Sequence, residues 1–158
     1  MRISPLVVQI TILALWLGAA VFFAAALAPA LFAVLPSRSL AGAVVGRVLP
    51  VILYSGMLIG LAAGLVTMLA DDVPRSRGRD AAEVVMIAAC AVAAFIVGPR
   101  IERVRASITG AIENLPIDDA RRLAFGRLHG ISVAWLGLAM LAAAWALVTC
   151  VRQLSNPH

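Results

Sequence analysis

Residues 48–70 read VLPVILYSGMLIGLAAGLVTMLA, without a charged side chain from end to end. A helix needs about 20 mainly apolar residues to cross roughly 30 Å of hydrocarbon at 1.5 Å per residue. This run is long enough. Lipid offers no water to backbone polar groups, so a single apolar run there must satisfy them internally, as a helix. Within the run Gly56, Gly60 and Gly64 recur at every fourth position, which lines three bare backbone sites on one helix face. Small residues at that spacing let another backbone approach closely, so the three glycines are candidate helix-packing residues. They suit contacts inside a bundle or between two copies of the chain.

Working outward, residues 3–37, 84–99 and 128–151 also lack charge, and the run 84–99 reaches spanning length once Ala81 and Ala82 are added. The expected architecture is an all-α integral membrane protein, a four-helix transmembrane bundle forming one domain over residues 1–158. Its spans lie at about 6–35, 49–70, 81–98 and 127–151. The first run is too long for a signal-peptide core and continues past Ala24-Ala25-Ala26, so it reads as a retained helix. Pro29 predicts a bend in it. Pro50 suits the first turn of the second span. Pro99 opens a segment, 99–115, in which Ile101, Val104, Ile108, Ile112 and Leu115 make one apolar stripe while Arg100, Glu102, Arg103, Ser107 and Glu113 lie off it. That pattern predicts an amphipathic interfacial helix between the third and fourth spans. Asp118 is the expected N-cap of the helix that follows.

Composition agrees with this reading. The chain is 63% hydrophobic and 13% charged, and its mean hydropathy is +1.01, whereas soluble domains are about half apolar and a quarter charged. The net charge of +5 comes from thirteen arginines and no lysine. These sit in short clusters between apolar runs and not along one polar face, so the chain is not read as a nucleic-acid binder. Its expected partner is the lipid bilayer, with a second copy or another membrane protein as a candidate through helix contacts. Arg2, Arg75, Arg77, Arg79 and Arg152 fall on the side of the termini; the other side carries Arg38, Arg47, Arg100, Arg103, Arg105, Arg121, Arg122 and Arg127. The positive-inside rule then places both termini outside a multi-pass cell membrane, bacterial and cytoplasmic in type.

Few residues could carry chemistry. Arg122, Phe125, His129 and Ser132 follow spacings of three and four, so one helix face presents guanidinium, ring, imidazole and hydroxyl in order. An ionisable residue inside a span is a functional candidate by default. His129, Arg122, Ser132 and Arg100 are therefore the candidate ligand or ion site. Glu83 reads as an interfacial carboxylate in the first turn of its helix. Cys90, Cys150 and the five methionines are scattered soft atoms that suit core packing. No phosphate loop, paired-cysteine, paired-histidine or nucleophile-elbow motif occurs, so no catalytic residue, metal ligand set or cofactor is assigned.

Several of these positions fall in a pattern. Trp16-x-Gly18, Phe22-Phe23, Ala28-Pro29-Ala30-Leu31-Phe32, Leu35-Pro36 and Ala41-Gly42 resemble the opening of the transmembrane protein 205-like family. Phe125-x-Arg127-Leu128-His129-Gly130-x-Ser132 looks like that family's later Leu-His-x-x-Ser motif, and Pro99-Arg100-Ile101 resembles the segment leaving its third span. The resemblance implies a compact four-span protein and marks Trp16, Pro29, Phe32, Gly42, Arg100, His129 and Ser132. It also implies a link to export of metal-containing or toxic compounds. After the His motif this chain departs from the pattern with the Ala-rich residues 133–147. Handling or export of a small solute or metal ion is the expected function. A non-catalytic membrane scaffold or assembly partner is the alternative.

Overall fold

The computed structural model describes residues 4–70 and 73–155; Arg2 and His158 lie outside them. Four long helices account for most of this chain: α1 (Pro5–Val34), α2 (Arg38–Leu69), α3 (Arg77–Ala106) and α4 (Ala120–Ser155). Each begins where the local chemistry supplies a start. Pro5 sits in the first turn of α1, where its missing N–H costs nothing. The Ser37 hydroxyl accepts from Leu40 N at 3.1 Å and opens α2; Ser76 does the same for Arg79 N at 3.4 Å and opens α3. At α4 the capping carboxylate is Asp119, which accepts from Arg121 N at 2.8 Å, one residue beyond the expected Asp118.

Prolines are absorbed in two different ways. Before Pro29 the chain adopts a π-helical turn over Phe23–Leu27, with Ala28 N–H bonded to Phe23 O. Before Pro99 it does so again over Val92–Val97, with Gly98 N–H bonded to Ala93 O. A proline ring clashes with the carbonyl four residues back and leaves it without a donor; the widened turn gives room at that position. As a result α3 does not stop at Pro99. The amphipathic segment expected as a separate helix over 99–115 is instead the last turns of α3 to Ala106, a turn, and a 3-10 turn at Ile112–Asn114. Of its stripe only Ile108 is buried. Pro50 also differs from expectation: α2 starts at Arg38 under its serine cap, so Pro50 lies in the helix interior.

The helices run up and down. Trp16 and Gln9 of α1 meet Gly56 and Ala63 of α2, Gly60 meets Ile87 of α3, and Arg79 and Arg105 of α3 meet Gln153 and Phe125 of α4. Both termini therefore share one end of the bundle, here the terminus end; the opposite, arginine-rich end is the basic end. Leu13, Trp16, Leu53, Met86, Ala139 and Ala143 fill the core, whereas Leu15, Leu58, Leu141 and Trp145 point outward. An outer surface of large apolar side chains around a small-residue core is the inverse of a water-soluble protein. This is an all-α, multi-pass membrane protein.

Candidate functional site

At the terminus end, polar side chains from all four helices converge where the core would otherwise be apolar. Gln9 of α1 is completely buried. Its amide donates to Ala63 O and to Thr67 Oγ1 of α2, both at 2.6 Å. Its carbonyl accepts from the Cys150 thiol of α4 at 3.5 Å. Arg79 of α3 is also fully buried, and its Nη1 donates to Gln153 Oε1 of α4 at 2.8 Å. Gln153 in turn donates to Pro74 O in the connection before α3 at 3.1 Å. A second guanidinium nitrogen lies 3.4 Å from Asp80, whose side chain is half-exposed.

Glu83 follows Arg79 by one turn. Its side chain is 5% exposed, and its Oε1 stands 4.0 Å from Arg79 Nε. That distance is a charge contact but too long for a hydrogen bond. Arg79 Nε and Glu83 Oε1 are the two buried side-chain atoms that find no partner among the described residues. The carboxylate lies against bare α2 backbone, because a Cβ added at Gly64 would come 3.6 Å from Glu83 Oε2. Buried polar atoms are almost always paired, and an ion inside a membrane is costly. One guanidinium flanked by two carboxylates, with two facing atoms unpaired, is the most polar point of the buried core.

The residues singled out from sequence lie elsewhere. His129 is exposed on α4, its ring parallel to Phe125 with centroids 6.4 Å apart. The Arg105 guanidinium lies over the Phe125 ring, 5.8 Å from its centre. Arg122 is half-buried and donates to Leu115 O at 2.7 Å, holding the connection before α4. Ser132 is buried and Arg100 exposed. Phe125 and His129 are thus brought together, while Arg122 and Ser132 are about 15 Å apart along one helix axis. Of the other marked positions, Trp16 is buried and donates to Ile52 O at 2.9 Å, Pro29 and Phe32 are exposed, and Gly42 O accepts from Arg105 at 3.3 Å.

The glycine face of α2 is filled from within the chain. A Cβ at Gly56 would fall 2.7 Å from the Trp16 ring and 2.8 Å from Cys90 Sγ, and one at Gly60 would fall 2.6 Å from Ile87. A family model matches residues 11–109, well over half of the chain. The chain belongs to the DUF4149 family. That family is described as a domain of unknown function. No curated protein and no solved structure matches the chain. The DUF4149 match takes in Trp16, the α2 glycines, Thr67, Arg79 and Glu83, and ends before His129, Cys150 and Gln153.

Sequence reading passed over Gln9, Thr67, Arg79 and Gln153. Two signals were present: a glutamine inside an otherwise apolar spanning run, and an Arg-x-x-x-Glu spacing at the head of a span, which puts both charges on one helix face.

Proposed function

We propose that this DUF4149 protein handles a small polar or ionic solute within the membrane, and that the Arg79–Glu83 centre holds it. The observation that supports this reading is the completely buried guanidinium whose Nε faces an equally unpartnered carboxylate oxygen. A bundle needing only mechanical strength is served by apolar packing, since a buried ion pair rarely stabilises more than its hydrophobic replacement. The motifs resembling the transmembrane protein 205-like family point toward export in the same way. The competing reading, a scaffold docking through the α2 glycines, has less support, because Trp16, Ile87 and Cys90 already occupy that face.

The test begins with thermal unfolding of the detergent-solubilised protein against a panel of small organic and inorganic ions, with hits carried into vesicle uptake. The expected result is a stabilising solute whose effect and uptake fall at least tenfold in Glu83→Gln and remain in His129→Ala. A hit retained by Glu83→Gln and lost by His129→Ala would move the site to α4 and overturn this assignment.

The arginine asymmetry supports an orientation with both termini outside and the basic end in the cytosol of a bacterial cell.

A further inference from the structure

The basic end carries eight arginines against the four carboxylates Glu102, Glu113, Asp118 and Asp119; the terminus end has five against four. Several of the eight are committed. Arg105 reaches Gly42 O and Glu102 and lies over Phe125. Arg121 chelates Asp119 with two nitrogens, at 3.1 and 2.8 Å, and Arg122 holds Leu115 O. Arg103 donates to Pro99 O at 3.3 Å, and the charge of Arg38 acts on the Glu113 carboxylate. Arg47, Arg100 and Arg127, by contrast, make no side-chain hydrogen bond or ion pair among the described residues. All three are exposed.

They come from three helices, yet they occupy one layer. Gly56 of α2 lies beside Cys90 of α3, and Gly46 lies beside Arg105. Counting along the antiparallel pair brings Arg47 near the height of Arg100. The Arg105–Phe125 contact sets the register of α3 against α4 and brings Arg127 close to the height of Arg103. Along α3, Arg79 and Arg100 are separated by about 30 Å of helix rise, the thickness of a hydrocarbon core. The layer therefore sits where lipid phosphates begin. Arginine stems lie along apolar surface and lift their heads to that level, and the guanidinium fork matches phosphate oxygens two at a time.

We infer that Arg47, Arg100 and Arg127 form a belt that binds the phosphates of anionic phospholipids around the basic end. The belt is separate from the Arg79–Glu83 centre and does not depend on what that centre holds. The partner is a lipid because the three guanidinium groups are exposed at one membrane depth on three helices, and an arginine near such a surface contributes roughly fivefold in affinity.

The experiment measures lipids retained by the full chain in native mass spectrometry after reconstitution into mixed phosphatidylglycerol and phosphatidylcholine nanodiscs. The wild-type protein should retain phosphatidylglycerol preferentially. The R47Q/R100Q/R127Q variant should lose at least tenfold of that preference, the R47K/R100K/R127K variant, which keeps the charge without the fork, should lose less, and R75Q/R77Q/R152Q at the terminus end should leave it unchanged. Equal losses in the two glutamine variants, or no loss in the first, would overturn the belt. Thermal stabilisation by inorganic phosphate in pure phosphatidylcholine discs, matching that by phosphatidylglycerol, would overturn the lipid assignment.

Discussion

Asp119 shows how one side chain fixes a helix start. It accepts from Arg121 N and chelates the Arg121 guanidinium, and these contacts hold its carboxyl down at about 2. Glu113 is lowered too, first by the Ser39 hydroxyl that donates to it at 2.6 Å. Both groups prefer the ionised form when folded, so their contribution is complete above the unfolded carboxylate range near 4. For Asp119 it is lost as pH falls from about 4 toward 2. Amide protection factors across residues 107–121, corrected for intrinsic exchange at each pH, should therefore fall over that window while the spans stay protected; an unchanged protection factor at pH 2.5 would contradict the capping role. The polar centre was poorly legible at this same scale. Gln9, Arg79 and Gln153 are single polar residues on three helices, and only the bundle's register brings them together. Glu83 was noticed, but its reading as an interfacial carboxylate lacked the guanidinium one turn away.

At the scale of elements, each uncharged run supplies one of the four long apolar helices, because the cost of exposing backbone to lipid leaves one solution per run. Where helices end was harder to read. Pro50 and Pro99 look like boundaries, yet α2 begins twelve residues earlier at its Ser37 cap and α3 passes Pro99 on a π turn. A proline's effect depends on whether the preceding turn can widen, and sequence alone does not record that. The α2 glycines give a graded prediction. Gly56→Ala drives a methyl into the Trp16 ring, which its bond to Ile52 O holds in place, and should cost about 1–3 kcal/mol. Gly64→Ala meets Glu83 at an ordinary 3.6 Å and should be neutral or stabilise by up to about 1 kcal/mol through helix propensity. Unfolding in detergent checks both; equal losses would show that the glycine face is not packed in this graded way.

For the whole molecule, the unequal ends predict how the bundle inserts. In cells, a cysteine placed at Pro74 should react with a membrane-impermeant maleimide, and one placed at Thr109 should react only after permeabilisation. Both sites are exposed and lie in opposite connections, and both replacements are read against a background with Cys90 and Cys150 changed to alanine. The reverse pattern would invert the orientation proposed above. The two ends also differ in what they present: a closed polar centre at one, uncommitted guanidinium groups at the other.

Trp16 is buried at 4% exposure with its indole N–H bonded across to α2, while Trp145 is 60% exposed on the outer surface. The molecule thus contains a pair of optical probes that bromine-labelled acyl chains can tell apart. Emission from Trp145 is open to such quenchers, and emission from Trp16 is shielded for as long as α1 and α2 stay together. With Trp135, which is half-buried on α4, replaced by Phe, the quench-resistant fraction is a direct reading of whether the first helix pair has parted, without any added label on the protein.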